Sequence, residues 1–237
     1  MKKNNIERTL FWFKDGDISL HGLDDYYFSL GTLLNRLLNE AYRGKKIKFI
    51  NLYFFTNDTY RHYPQILKNN VHYYGGYLSY YGVFNYKNFL KLNEAEKDRN
   101  LWQESYGFLQ ECAKSTKNNE LSAAIEYAYT KGLQMNFNRD YKVVECDVIL
   151  FGISVKASIW INFKDDGIYS KLTLEKNNLQ IFEKGIDKTR NGIEFFLEMY
   201  KNIKVVDDKI VIQGRKDVDY LPLTIPMDPG VLKANVG

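Results

Sequence analysis

The strictest constraint on the fold is an alternation of apolar and polar side chains between residues 153 and 164. A period of two residues is typical of a β-strand with one buried face, because successive side chains point to opposite sides. Asp166 and Gly167 follow as a hairpin turn signal, and residues 168–175 return with strand-like composition. The alternating apolar residues are Ile153, Val155, Ala157, Ile159, Ile161 and Phe163. The sequence therefore predicts a long antiparallel hairpin in its second half.

Other segments have the period of a helix. Between Tyr26 and Ala41 apolar residues recur every three or four positions, with Asp24 placed to cap the start and Gly44 to end the helix. Asn93, followed by Glu96, predicts a capping box at the start of a second helix. The remaining helices are predicted from Glu120 to about Gly132 and over residues 188–202, the latter capped by Asp187 and carrying Ile193, Phe196, Leu197 and Tyr200.

These elements together predict an α+β fold, with a mixed or mainly antiparallel sheet and about four helices packed on it. Further strands are predicted at residues 8–13, 47–55, 141–150, 179–182 and on both sides of Asp207–Asp208. We expect one compact domain over residues 1–213, with a possible boundary near 133–140. Residues 214–237 contain three of the four prolines, which predicts an extended C-terminal tail.

Composition excludes several classes of function. The 33 basic and 29 acidic residues give a net charge of +4, too small to indicate nucleic acid or an anionic membrane as a partner. The two cysteines, Cys112 and Cys146, are too few for a disulfide framework and lack metal-ligand spacing. No apolar segment is long enough for a signal peptide or a membrane span. We therefore expect a cytoplasmic protein without a cofactor.

The three histidines of the chain are scattered and do not predict a zinc site. His21 lies close to Asp24 and Asp25 in the sequence, and a His–Asp pair can orient a general base. The position of Asp24 before an apolar-periodic segment favours a helix cap instead.

Nine of the nineteen tyrosines fall between Tyr53 and Tyr86, interleaved with Gly, Ser and Asn. Tyrosine combines a large apolar ring with a hydroxyl at low rotamer cost, so such a cluster is typical of a contact surface. Plain alternation predicts that Tyr73, Tyr77 and Tyr81 are exposed together, or else Tyr74 and Tyr80. The glycines favour a hairpin or two broken strands here.

A binding surface in this stretch would most readily contact another protein, and a glycan is a further possibility. Residues 69–86 contain no Lys or Arg, which argues against nucleic acid because a stacking platform also needs cations for the phosphates. The predicted binding residues are Tyr73, Tyr74, Tyr77, Tyr80 and Tyr81.

A second hypothesis comes from three polar residues in the second half. Asp147 lies on one predicted strand, Lys156 on the next and Glu126 on the preceding helix. With the predicted order of helix, three strands, helix and strand, this arrangement resembles the PD-(D/E)XK nuclease superfamily. The resemblance implies that the two carboxylates hold Mg²⁺ and that Lys156 steadies the attacking water. The chain departs from the motif at Ser154, where the family has its second strand acid.

The leading expectation is therefore a non-enzymatic cytoplasmic binding protein acting through a tyrosine-rich surface. Small inhibitors and immunity proteins are one setting for such a chain. The alternative is a magnesium-dependent phosphodiesterase or nuclease with a degenerate PD-(D/E)XK-like core built on Glu126, Asp147 and Lys156.

Overall fold

The structure, a computed structural model, describes residues 6–230 apart from the side chain of Leu67. Helices and strands are both abundant and the sheets are mixed or antiparallel, which confirms the predicted α+β class. Internal contacts divide the chain into two compact units, Met1–Arg139 and Asp140–Gly237. Among the described residues, none of the helices combines the length and the apolar composition needed to cross a bilayer.

The N-terminal unit is a five-stranded sheet with helices. Its strands are β1 (Arg8–Asp15), β2 (Ile18–Ser19), β3 (Phe49–Phe55), β4 (Val71–Tyr74) and β5 (Tyr77–Val83). Its helices are α1 (His21–Tyr26), α2 (Phe28–Ala41), α3 (Asn57–His62), α4 (Tyr86–Phe89), α5 (Glu94–Ser115) and α6 (Asn119–Gln134). The strand order is β2-β1-β3-β5-β4, with β1, β3 and β5 parallel to one another and the two edge strands antiparallel.

The core of this unit lies between one face of the sheet and helices α2, α5 and α6. Alternate residues of the three parallel strands are buried there together with the apolar stripes of the helices. The sheet contributes Phe11, Phe13, Ile50, Leu52, Phe54 and Leu78. Burying one face of each strand in this way is what the period-two patterns of β1 and β3 require.

Local signals explain several boundaries. Asn93 and Glu96 form the predicted capping box at the start of α5, with reciprocal hydrogen bonds of 3.0 and 2.9 Å. The tyrosine-rich stretch forms a hairpin, as predicted, and its turn consists of Gly75 and Gly76 at φ values of +58° and +91°. Positive φ at both central turn positions is a conformation that glycine adopts without steric cost.

The predicted cap at Asp24 is wrong. Asp24 lies inside α1, and the chain starts a new helix at Phe28 after Tyr27. The Asp24 carboxylate instead accepts a hydrogen bond of 2.8 Å from the Phe13 amide and lies 3.1 Å from the His21 ring nitrogen. A tertiary contact with β1 therefore replaces the local capping role.

The C-terminal unit consists mainly of β-strands, with one short 3₁₀ segment, Glu194–Glu198, between two of them. A four-stranded antiparallel meander comes first, formed by β6 (Tyr141–Leu150), β7 (Ile153–Lys164), β8 (Gly167–Lys176) and β9 (Leu179–Thr189). A three-stranded sheet follows, formed by β10 (Tyr200–Val206), β11 (Lys209–Gly214) and β12 (Leu223–Pro226). The alternating segment of residues 153–164 is β7, and it pairs antiparallel with β8, as the predicted hairpin requires.

The helix predicted over residues 188–202 is wrong. Strand β9 continues to Thr189, because Asp187 and Lys188 still pair with β8. The strand is followed by a turn that contains Gly192 at φ +85°. Between this turn and β10 the chain forms only the 3₁₀ segment. Phe196 and Tyr200 are buried as expected, but from a 3₁₀ turn and a strand. A short apolar run in the sequence is compatible with a 3₁₀ turn, a strand or a helix, so the pattern alone does not identify which one forms.

The segment predicted as a tail contains β12, which is hydrogen-bonded to β11. Residues 231–237 of that prediction lie outside the described residues.

Candidate binding face

The second face of the five-stranded sheet lies opposite the core formed with α2, α5 and α6, and we call it the open face. It is lined by the residues that alternate with the core positions, and none of them belongs to the core cluster. These residues are Arg8, Leu10, Trp12 and Lys14 on β1, Phe49, Asn51, Tyr53 and Phe55 on β3, His72 and Tyr74 on β4, and Tyr77, Ser79, Tyr81 and Val83 on β5.

Strand register aligns the aromatic rings of the open face in two rows across the sheet. Phe49 pairs with Tyr77, and their rings stack with centroids 4.5 Å apart. Tyr53 pairs with Tyr81, and these rings stack at 4.4 Å with only 4° between their planes. Stacked cross-strand aromatic pairs rigidify a sheet surface, so this face presents a preorganised set of rings.

A polar strip separates the two aromatic rows. Register places Leu10, Asn51 and Ser79 side by side between the rows. The indole nitrogen of Trp12 donates a hydrogen bond of 3.1 Å to the Asn51 side-chain oxygen. The open face thus offers rings on both sides of a strip that contains hydrogen-bonding groups, which suits a partner with mixed apolar and polar surface.

The phenol of Tyr53 stays neutral at physiological pH. Burial raises the pKa of Tyr53 to about 12, and the neighbouring Tyr81 adds to the shift. A neutral phenol can both donate and accept a hydrogen bond, and the Tyr53 hydroxyl interacts in this way with the neighbouring Ser79 and Tyr81 side chains.

Two cations border the open face. The Arg8 guanidinium carbon lies 5.3 Å from the centre of the Phe49 ring, and the Lys14 ammonium lies 4.3 Å from the Tyr63 ring. Both come from β1, far in sequence from the tyrosine-rich stretch. They contribute cation–π contacts at the margin and leave the centre of the face uncharged.

The structure divides the five predicted tyrosines between the two faces. Tyr74, Tyr77 and Tyr81 lie on the open face, whereas Tyr73 and Tyr80 point to the helix side. The grouping predicted by plain alternation is wrong because the two-residue turn places Tyr74 directly opposite Tyr77. Tyr74 is 88% exposed and Tyr77 48% exposed.

Tyr73 and Tyr80 have different surroundings. Tyr80 packs against the core and stacks on Phe108 of α5 with centroids 4.6 Å apart, and burial raises the pKa of its phenol. Tyr73 lies at the sheet edge, is 45% exposed and donates a hydrogen bond of 2.8 Å to the carbonyl of Lys46. Tyr80 therefore has a structural environment, while Tyr73 remains accessible at the edge.

The three residues of the nuclease hypothesis fall into different units. Glu126 lies on α6 of the N-terminal unit, where its carboxylate accepts hydrogen bonds from Tyr106 at 2.6 Å and Gln110 at 2.7 Å. Asp147 and Lys156 are exposed cross-strand partners on β6 and β7 of the C-terminal unit. The element order on which the resemblance relied is also changed, since residues 188–202 contain no α-helix. Across residues 6–230 no group of three or more His, Cys, Asp and Glu side chains is arranged to hold a metal ion.

Sequence reasoning missed Arg8, Trp12, Phe49 and Tyr53 as members of the same face. Their signal was present as alternation within residues 8–14 and 49–55. Only strand pairing shows that these two alternations share a face with the tyrosines of β5.

No protein-family model, curated protein or solved structure matches this chain.

Proposed function

We propose that this chain is a non-enzymatic binding protein that contacts another protein through the open face. The observation that carries the proposal is the pair of stacked aromatic rows, which continues into the exposed Tyr74 and Tyr77. Clustered aromatic residues with hydroxyl groups, held rigidly on a sheet, are the composition of protein interfaces and of their energetic centres.

The low charge of the face supports a protein partner in particular. Arg8 and Lys14 stand at its margin, and the stretch from 69 to 86 has no Lys or Arg. Nucleic acid binding requires several cations along the phosphate path, whereas interface centres are depleted of charge. A rigid surface of this kind suits an inhibitor or immunity-type role, in which binding alone blocks the partner.

We also propose a cytoplasmic location. The two cysteines are free thiols, and Cys112 is buried in the core of the N-terminal unit, where burial raises its pKa to about 12. An inert buried thiol is compatible with a reducing compartment.

The test is capture of a partner from lysate by the wild-type chain and by a Tyr74→Ser, Tyr77→Ser double variant. We expect the wild type to retain a discrete protein and the double variant to lose it, with unchanged circular dichroism. The matched control is Tyr127→Ser on α6, a tyrosine that is 40% exposed on a different surface of the same unit. Equal capture by the double variant and the wild type would contradict the proposed face.

A further inference from the structure

The β4 edge of the five-stranded sheet differs from every other sheet edge among the described residues. Strand β2 is two residues long, and β6, β9 and β10 each contain a register irregularity. Strand β12 ends in Pro226. Bulges, prolines, charges and very short strands are the devices that keep edges from pairing with other chains. Strand β4 is a regular four-residue strand, Val71–Tyr74, without charge or proline.

The backbone groups of β4 that face away from β5 can be identified from the register. Tyr74 and Tyr77 flank the two-residue turn and form a hydrogen-bonded pair, so His72 and Ser79 form the next one. The amide of Tyr81 donates to the carbonyl of Asn70 at 2.9 Å, which fits the same alternation. The amide and carbonyl groups of Val71 and Tyr73 therefore point to the free edge.

Three of these four groups are open to a partner strand. The Val71 amide donates to the Asn69 side chain at 3.3 Å, a long hydrogen bond within the same chain. Among the hydrogen bonds of residues 6–230, none involves the Val71 carbonyl, the Tyr73 amide or the Tyr73 carbonyl. A partner in extended conformation can satisfy them by adding a strand, the mode known as β-augmentation.

A basic cavity lies next to the turn end of this edge. The cavity has a volume of about 450 Å³, and its lining includes Lys45, Lys46, Lys117, Tyr42 and Glu120. Lys46 connects the two features, because its carbonyl accepts the hydrogen bond of the Tyr73 hydroxyl. The edge and the cavity are therefore adjacent parts of one surface.

The cavity is cationic. Its lining residues include three lysines and one acidic residue, Glu120. None of the three lysines forms an ion pair with a carboxylate elsewhere in residues 6–230. A carboxylate from a partner would gain attraction here without displacing an existing pair.

We propose that the protein partner adds an extended strand to the β4 edge and places a carboxylate in the cavity lined by Lys45, Lys46 and Lys117. The carboxylate belongs to an Asp or Glu side chain of that strand. This inference rests on the proposed function in taking a protein as the partner, and it adds the conformation and charge of the segment that binds.

The test begins with a library of random short peptides carrying free C-termini, selected on the full chain. We expect enriched peptides to contain Asp or Glu and to keep binding when the C-terminus is amidated. Binding of one enriched peptide is then measured by fluorescence anisotropy. Selection that enriches no peptide, or enriches peptides that need only a free C-terminus or no carboxylate at all, would overturn the inference.

Two variants separate the edge from the cavity. Tyr73→Pro removes the outward amide without removing a hydrogen bond to β5, and its control Tyr73→Phe keeps that amide. Lys46→Glu reverses a cavity charge, and its control Lys184→Glu makes the same change on β9. We expect Tyr73→Pro and Lys46→Glu each to weaken peptide binding by about tenfold or more, as the loss of one or two hydrogen bonds or an ion pair implies, and the controls to bind like the wild type.

A second measurement guards against misfolding of the variants. In the wild-type chain, bound peptide should protect the Tyr73 amide from hydrogen exchange, since that amide faces solvent when the edge is empty. An unprotected Tyr73 amide in the complex would overturn strand addition. Displacement of the peptide by single-stranded oligothymidine would overturn the choice of a protein as the partner. If the Tyr74→Ser, Tyr77→Ser variant loses the lysate partner while Tyr73→Pro and Lys46→Glu retain it, the open-face function stands and this inference fails.

Discussion

The two faces of the five-stranded sheet are both rich in aromatic residues, but the most closely stacked rings on each face are of different types. On the helix-covered face the rings at the centre are phenylalanines, with Phe13 stacked on Phe54 at 4.9 Å and both fully buried. On the open face the closest stack is between two tyrosines, Tyr53 and Tyr81. A phenol hydroxyl costs free energy when it is buried without a partner, whereas a phenyl ring has nothing to satisfy. Of the neighbouring rings Tyr53 and Phe54 on β3, the one that carries a hydroxyl therefore lies on the open face.

The largest effect is expected from truncating a ring on the covered face. Phe54→Ala removes a side chain that contacts Phe11, Phe13, Phe84 and Phe108. Such a change in a packed core lowers the free energy of unfolding by about 3–5 kcal/mol. Tyr77→Ala on the open face loses mainly its stack on Phe49, which is about 0.5–1.5 kcal/mol. Urea unfolding of both variants measures the difference, and equal losses would break the distinction between the faces.

A smaller effect on the same face is expected at Gly82 on β5. A Cβ atom there would overlap the ring of Phe108, so Gly82→Ala forces that ring to move and costs about 1–3 kcal/mol. A Cβ atom added at Gly107 on α5 would meet no other atom within 4 Å. Gly107→Ala should stabilise the protein by up to about 1 kcal/mol through helix propensity. Thermal unfolding of the pair tests the contact, and a neutral Gly82→Ala would show that Phe108 can yield.

Alkaline pH should distinguish the tyrosines of the two faces. Burial raises the pKa of Tyr53 from its ordinary value of 10.0 to about 12. The unfolded chain therefore loses this proton first, and the contribution of Tyr53 to stability is lost as pH rises from about 10 to about 12. Tyr27, on the covered side, has a pKa raised further by burial. We expect Tyr53→Phe to reduce the pH dependence of the unfolding midpoint over this interval, and tyrosinate absorbance to show late ionisation in the wild type. An unchanged slope in Tyr53→Phe would assign the effect to other tyrosines.

At Asp147, which lies outside both faces, we expect metal ions to have no effect on stability. Asp147 faces Lys156 across two strands and is exposed. We expect millimolar Mg²⁺ or Mn²⁺ to leave the unfolding midpoint unchanged in the wild type and in Asp147→Asn, because selective binding to the folded state would raise it. A metal-dependent rise that Asp147→Asn abolishes would move the search for function from the open face to the nuclease residues.

The sequence by itself determined the type of most elements. The alternation of residues 153–164, the capping box at Asn93 and Glu96, and the Gly75–Gly76 turn are local signals, and each reappears in the structure. Local signals succeed because backbone geometry alone sets the periods of two and 3.6 residues and the dihedral angles of a tight turn. They failed at residues 188–202, where a short apolar run was compatible with a helix, and at Asp24, which contacts β1.

Tertiary structure alone decided which residues share the candidate site. Tyr53 and Tyr81 are far apart in the sequence, and only the parallel pairing of β3 with β5 stacks their rings. The separation of Tyr73 from Tyr77 onto opposite faces likewise depends on the register of the hairpin. Register reverses every side chain of a strand when it shifts by one residue, and it is fixed by contacts across the whole core rather than by the strand's own sequence.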